Sequence, residues 1–370
     1  MRTLARACRS RPLRTAVCLC LLLALADLLL FALARDLQAV HDISPHRGGA
    51  ADRLVRPSPG DVLARPVGHT PAGPHRIIKV MTYNLNHISR GNDNDPANDP
   101  HFPPGSSELT KMRLSLSALL REPRRIERNL EAIVGLIRRE SPDIVLLQEA
   151  DRSMLESGFV DAGRHIAAAA GYPHAVWGAK WSMRCGLEYV TGNAILSRYP
   201  IVEAENVPLN PLTWEHFHRK LFGAHTALKA TIDIDGEPYT VLNTHLYSKK
   251  RNYWKKTEQV RRLLDLVSAS PHPVIVGGDY NTSVARLESR RRSSHDPTLP
   301  LLDESGVIDM AGLYDEDTLD YVFLRRGDPT SYAGGVKLPP VATDHFINVA
   351  YIRLDAASTA AVQLRGSGDA

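Results

Sequence analysis

Short apolar runs that stop on a polar residue recur along the chain. Ile77-Ile78-Lys79-Val80-Met81-Thr82-Tyr83-Asn84 predicts a strand running into Asn84. Beyond Pro123, Ile126, Leu130, Ile133, Val134 and Ile137 fall on one helical face, and Ser141-Pro142 stops that helix. Asp143 to Glu149 predicts a buried strand ending in a carboxylate, and strand–helix–strand of this kind points to a layered α/β arrangement. Gly192 to Ser197 predicts another strand, closed by Arg198-Tyr199-Pro200. Thr226, Leu228, Ala230, Ile232 and Ile234 alternate with more polar partners, Asp235-Gly236 turns the chain, and Tyr239 to Asn243 completes a hairpin that runs into His245. Val260, Leu263, Leu264 and Val267 mark a second helix. Leu319 to Leu324 and Phe346 to Leu354 are the last predicted strands.

The most informative stretch is Val274 to Asn281, a β-branched run followed by Gly277-Gly278-Asp279-Tyr280-Asn281. The two glycines allow a sharp turn and a close backbone approach. On its own, Gly-Asp-x-Asn reads equally well as a turn capped by its own side chains.

The N-terminus is built differently. Thr15 to Ala34 is almost continuously apolar, preceded by Arg2, Arg6, Arg9, Arg11 and Arg14, interrupted by Asp27, and closed by Ala32-Leu33-Ala34. Two readings follow: a cleaved signal peptide, or an uncleaved anchor with its N-terminus in the cytoplasm. The length favours the anchor, and either reading places the body outside the cytoplasm, membrane-anchored or secreted. Residues 35–75 are rich in Pro, Gly, His and Arg without periodicity and read as a linker. Residues 76–355 form one catalytic-size domain, and 356–370 read as a disordered tail. The polar loop 90–110 carries acids that do not match a calcium-loop spacing, and 285–300 reads as an Arg/Ser-rich loop.

The 370 residues have ordinary globular composition, 43% hydrophobic and 23% charged. The formal charge of +4 comes from the N-terminal segment. Setting aside its five arginines and Asp27 from 45 basic and 41 acidic residues leaves 40 of each. A neutral body argues against a broad basic surface that grips nucleic acid. Cys185 is the single cysteine of the body, so no internal disulfide or cysteine-based zinc site forms there.

The polar residues at strand ends form an ordered set: Asn84, Glu149, His245, Asp279, Asn281, Asp320, Asp344 and His345. Each alone has an ordinary explanation as a turn cap, surface acid or hydrogen-bonded histidine. Together, as Tyr83-Asn84, Leu147-Gln148-Glu149, Asn243-Thr244-His245-Leu246, Gly278-Asp279-Tyr280-Asn281, Leu319-Asp320-Tyr321 and Thr343-Asp344-His345, they resemble the endonuclease/exonuclease/phosphatase superfamily. That group includes pancreatic-type deoxyribonucleases, apurinic endonucleases, neutral sphingomyelinases and inositol polyphosphate 5-phosphatases. Thr343 stands where the last motif more often has Ser.

The resemblance implies a four-layer α/β sandwich, two mixed β-sheets face to face with helices outside. It implies a divalent cation, Mg2+ or Mn2+, held chiefly by Glu149 with help from Asn84 and Asp344. A hard cation with oxygen ligands offsets charge on a phosphoryl group and its leaving oxygen. It further implies catalytic roles for His245, Asp279, Asn281, Asp320 and His345. In these, His345 aligned by Asp320, or Asp279, serves as base, Asn281 holds a phosphoryl oxygen, and His245 stabilises the transition state or protonates the leaving oxygen. Asn243-Thr244-His245 is less typical of the apurinic endonucleases, which makes base-excision repair a poor fit.

Just beyond His245, the run Tyr247 to Lys256 interleaves five cations with three aromatics, among them Lys249, Lys250, Arg251, Tyr253 and Trp254. It reads as a substrate contact by charge and stacking, as an interfacial patch facing anionic lipid, or as a solvated helix start. His216, His218 and Arg219, near Trp214, could add to the rim. The expected partners are a phosphoester, from nucleic acid or phospholipid, and a membrane met through residues 15–34, with no protein partner. Rival readings are a phosphomonoesterase on a phosphoinositide-like headgroup and a non-catalytic binding module of the same fold.

Overall fold

The computed structural model describes residues 40–45, 75–88, 124–154, 157–184, 188–210, 224–248, 253–284, 296–312 and 318–355. Thirteen strands and four α-helices are assigned among these residues. They are β1 (Val40–Asp42), β2 (His75–Asn84), α1 (Arg125–Glu140), β3 (Ile144–Gln148), α2 (Ala162–Ala170), β4 (His174–Arg184), β5 (Glu188–Ser197) and β6 (Ile201–Pro208). Then come β7 (Thr226–Ile234), β8 (Glu237–His245), α3 (Tyr253–Ala269), β9 (Val274–Asp279), α4 (Thr298–Glu304), β10 (Ile308–Asp309), β11 (Asp320–Arg325), β12 (Thr330–Leu338) and β13 (Ile347–Asp355).

The strands form two sheets, ordered β1-β4-β5-β3-β2-β13-β12 and β10-β11-β9-β8-β7-β6. Alternation along each strand decides what faces what. Ile78, Val80, Ile144 and Leu146 of the larger sheet meet Leu228, Ala230, Val241, Ile275 and Val322 of the smaller one in a core between the sheets. The odd positions of β2 and β3, Met81, Tyr83, Val145 and Leu147, face outward and are covered by Ile126, Leu130, Ile133 and Ile137 of α1 and Ile166 of α2. Val260, Leu263 and Val267 of α3 cover Leu242, Val274 and Val276 on the other outer face. The result is the four-layer sandwich that the motifs imply.

Each sheet has a parallel pair near its middle, β2 with β3 and β8 with β9. A parallel pair needs a crossover, and α1 and α3 supply the two. The carboxyl ends of both pairs lie at the same end of the sandwich, where Asn84 of β2 donates to Asp279 of β9. Asn243 on β8 ties them together. Its amide donates to Leu147 O on β3 and Ala194 O on β5, both at 2.8 Å, and its Oδ1 accepts from Gln148 Nε2 at 2.7 Å.

Several expectations shift. Gly277 and Gly278 make no turn; they lie inside β9. They are needed for close approach: a Cβ on Gly277 would stand 2.6 Å from Leu146 Cδ1 across the sheets, and one on Gly278, whose φ is +137°, 1.9 Å from Thr244 O on β8. Within the stretch read as a linker, Val40–Asp42 forms an edge strand on β4. Helix α4 begins inside the stretch read as a loop at 285–300. The segment Thr15 to Ala34, the loop 90–110 and the tail 356–370 lie outside the described residues. Among the described residues, no helix is long and apolar enough to cross a membrane.

Candidate active site

Asp279, at the end of β9, is the focus of the site. Register places it opposite His245 on β8 and Asp320 on β11. Its Oδ2 accepts from Asn84 Nδ2 at 2.9 Å and lies 3.3 Å from His245 Nε2 and 4.0 Å from His345 Nδ1. Its Oδ1 accepts from the Asn281 backbone N–H at 2.7 Å. Asn84 belongs to the larger sheet and Asp279 to the smaller, so this contact closes the site across the seam.

His345 follows from the loop before β13. Its Nδ1 lies 2.7 Å from Asp320 Oδ2, while Asp320 Oδ1 has no hydrogen-bond partner among the described residues. Thr343 Oγ1 donates to Asn84 O at 2.7 Å and accepts from the His345 N–H at 3.2 Å, so the hydroxyl common to Ser and Thr does the holding. Burial works against a charged His345, but the charges of Asp320 and Asp279 outweigh it and push the imidazole up to about 10. Burial and then the charge of Asp279 raise Asp320 to about 7, against the pull of His345. In the interval between, the pair is an imidazolium on a carboxylate. Burial, followed by the cations Lys180, His225 and His345, sends His245 well below its usual range, so its imidazole is neutral at pH 7. His225 Nδ1 holds it from behind through His245 O at 2.8 Å.

Glu149 stands just past β3 with φ +50°, and Asn281 just past β9 with φ +52°. A left-handed conformation at a non-glycine residue costs about 1–3 kcal/mol and persists where surrounding bonds enforce it. Here it turns each side chain from the strand end into the cleft. Glu149 Oε1 lies 3.9 Å from His245 Nδ1, and Oε2 lies 3.3 Å from His87 Nε2. Asn281 Nδ2 donates to Leu246 O at 2.9 Å and to Asp279 Oδ2 at 3.2 Å. Both amide hydrogens are spent, so in this arrangement Asn281 orients Asp279 and a bond to a phosphoryl oxygen would replace one of these two. Asp344 is partly exposed at the rim, its Oδ1 3.9 Å from His345 Nε2.

The donors suit a hard cation. Glu149 offers a carboxylate whose nearby partners are imidazoles, and Asn84 Oδ1 accepts one bond, from the Asn86 N–H at 2.9 Å, leaving a lone pair. Ligand atoms of Asp279, Asp320 and His345 also lie within 4.8 Å of one another, but the 2.7 Å contact occupies two of them.

Of the cationic-aromatic run, Lys249, Lys250 and Arg251 lie outside the described residues, as do Trp214, His216, His218 and Arg219. Tyr253 opens α3. Trp254 is 56% exposed, with Lys255 Nζ 5.4 Å from its ring centre and 5.6 Å from that of Tyr247. Lys256 turns inward instead, to Asp296 at 2.8 Å and Asn281 O at 3.0 Å, where it braces the β9 end of the site.

Among the described residues, His87, Asp151 and Lys180 also reach the site without being marked by the strand-end pattern. The first two follow Asn84 and Glu149 by three and two positions, on turns rather than strand ends. Lys180 lies where the β4–β5 register shifts between Ala179 and Trp181. Such a bulge breaks the alternation that would reveal it and re-aims the side chain. Among the described residues it makes no ion pair or hydrogen bond. Burial lowers its ammonium to about 8, against Glu149 and Asp279, which hold it up.

Comparison with known proteins bears on the family and the fold. The profile of the Endonuclease/Exonuclease/phosphatase family matches residues 81–345. No curated protein matches the sequence. Among solved structures, an endonuclease/exonuclease/phosphatase protein from Beutenbergia cavernae is similar at 24% identity and TM-score 0.52, over 76% of this chain and 72% of its own. The catalytic domain of human Nocturnin is similar at 18% identity and TM-score 0.50, over 75% and 93%. A family protein from Bacteroides thetaiotaomicron is similar at 14% and 0.50, over 76% and 96%. These likenesses are of fold.

Proposed function

Since this chain belongs to the endonuclease/exonuclease/phosphatase family, a family of phosphoester hydrolases, we propose that it is a divalent-metal-dependent phosphodiesterase acting on nucleic acid or phospholipid outside the cytoplasm. The observation that carries the reading is the convergence on Asp279. One carboxylate oxygen lies within 4.0 Å of Asn84, Asn281, His245 and His345, with Glu149 beyond His245. A scaffold has no use for so many ionisable groups held at the end of two sheets.

The bound cation, held by Glu149 with Asn84 and Asp344, would lower the charge on the phosphoryl group and on the oxygen it releases. The chain supplies the rest. Asp279, fixed by Asn84 and Asn281, accepts a proton from the attacking water as its oxygen bonds to phosphorus. His345, charged through Asp320, faces the cleft with Nε2 and donates to the departing ester oxygen as the P–O bond breaks. His245, neutral and close to Asp279, holds that carboxylate in line. Lys180 brings a cation to an otherwise acidic cleft and meets a non-bridging phosphoryl oxygen. The apolar segment Thr15 to Ala34 supports the extracytoplasmic location, and the exposed Trp254 beside Lys255 supports a substrate that stacks or lies at an interface.

The test uses the full-length protein with and without Mg2+ on DNA, RNA, sphingomyelin, phosphatidylinositol phosphates and a chromogenic phosphodiester. Metal-dependent turnover of one diester class, lost in Glu149→Ala, is expected. Turnover of phosphomonoesters alone would replace the reading with a phosphatase. Absence of both turnover and metal binding would replace it with a binding module.

A further inference from the structure

Beside the cluster around Asp279 runs a second line of side chains that the proposed reaction leaves unused. Asp151, wholly buried, accepts at both carboxylate oxygens from His87 Nδ1, at 2.9 and 3.1 Å. The opposite nitrogen of that ring, Nε2, lies 3.3 Å from Glu149 Oε2. The imidazole is thus clamped between two carboxylates of one loop.

The backbone is bent to put it there. Asn86, His87 and Ile88 have φ values of +44°, +55° and +57°, three left-handed residues in succession, the last β-branched. L-residues adopt this conformation singly and reluctantly. It is enforced from three sides: the Asn84 side chain accepts from the Asn86 N–H at 2.9 Å, Leu85 O accepts from the Ile88 N–H at 2.8 Å, and Asn129 of α1 donates to Ile88 O at 2.9 Å. Asp151 is equally fixed. Its neighbours Ala150 and Arg152 donate to Gly192 O and Val190 O on β5 at 2.9 and 3.0 Å, and its own carbonyl accepts from the Ala162 N–H at the start of α2 at 2.8 Å. Glu149 is left-handed as well. Two unfavourable turns, one from each strand of the parallel pair β2–β3, are therefore held so that His87 and Glu149 face each other.

We propose that His87, locked by Asp151, is the positioning residue for Glu149. It engages Oε2 and so sets the rotation of the carboxylate, leaving Oε1 directed at the cleft beside His245. A cation gains from a ligand whose rotamer is fixed in advance, and loss of a partner behind a ligand weakens metal binding substantially. Asn84 takes part twice, through its side chain in holding the turn and through its place at the site. The inference rests on the reading of Glu149 as principal cation ligand.

The test is calorimetric titration of the full-length protein with Mg2+ and with Mn2+, in the wild type, Glu149→Ala, His87→Ala, His87→Gln and Asp151→Asn, each shown to be folded by metal-free circular dichroism. His87→Ala should weaken both metals by about 10–100-fold. His87→Gln, which can still donate toward Glu149, should recover most of that loss, and Asp151→Asn should fall between. If Glu149→Ala abolishes binding while His87→Ala stays within about twofold of wild type, the positioning role is wrong and the metal assignment stands. If His87→Ala loses Mn2+ far more than Mg2+, His87 is itself a ligand, since imidazole favours the softer ion, and the positioning role is again wrong. If Glu149→Ala keeps its affinity, the metal assignment fails and takes the inference with it.

Discussion

His345 sits 2.7 Å from Asp320 Oδ2, and Asp320 lies in register with Asp279 on the neighbouring strand, so one imidazole answers to two carboxylates. The arrangement makes His345 a holder of protons at neutral pH. The rate of hydrolysis should fall as pH rises through about 10, the value to which Asp320 and Asp279 push it against burial. A general base there would give the opposite limb. Asp320→Asn should move the limb to lower pH, which a pH profile of kcat/KM will show.

The same pair makes a statement about stability. His345 binds its proton more tightly in the folded protein than at its usual 6.5, so its contribution is complete below about 6.5 and is lost as pH rises through about 10. The urea midpoint of the metal-free protein should decline between about pH 6.5 and 8, above which the ammonium of Lys180, lowered by burial to about 8, works in the opposite direction. His345→Gln should flatten the decline. An unchanged slope in the variant would refute the coupling.

Asn243→Ala should be strongly destabilising without touching substrate. It removes the donors to Leu147 O and Ala194 O and the acceptor for Gln148 in the seam between sheets. The loss of a buried hydrogen-bonding group of this kind costs about 2–3 kcal/mol, measurable by denaturant titration. Gly278→Ala should be worse, because the new methyl would meet the Thr244 carbonyl.

Lys180→Ala should raise KM about tenfold with a smaller effect on kcat, the loss of one charge-assisted contact worth about 1.5 kcal/mol. Lys180→Arg should retain much of the affinity. Equal kinetics in wild type and Lys180→Ala would remove the residue from the substrate-binding surface.

The fold was readable where alternation is clean. β7 and β8 follow their apolar positions, and the faces of α1 and α3 are those marked by Ile126 to Ile137 and Val260 to Val267. Strands β4, β6 and β12 were not readable. β4 contains the bulge at Lys180, and β12 at the edge of the larger sheet has six intermediate and three exposed residues, so neither carries a period-two signal. All eight strand-end residues lie at the same end of the sandwich, because β2, β3, β8 and β9 finish where the antiparallel β11 and β13 start. What stayed hidden came from turns. His87 and Asp151 take part through left-handed backbone and side-chain contacts, and no spacing along the chain announces those. Lys256 shows the converse error: a cation in a basic run that points inward.

Asn243 has a further consequence. By joining β8 to β3 and β5 it resists shear or gaping of the two sheets at the end where Asp279 and His345 lie. The reaction proposed for the protein would then run on an anvil rather than in a jaw. On the proposed function, discrimination among phosphoesters then falls to the residues that surround the strand ends and not to a closing of the sheets upon the substrate.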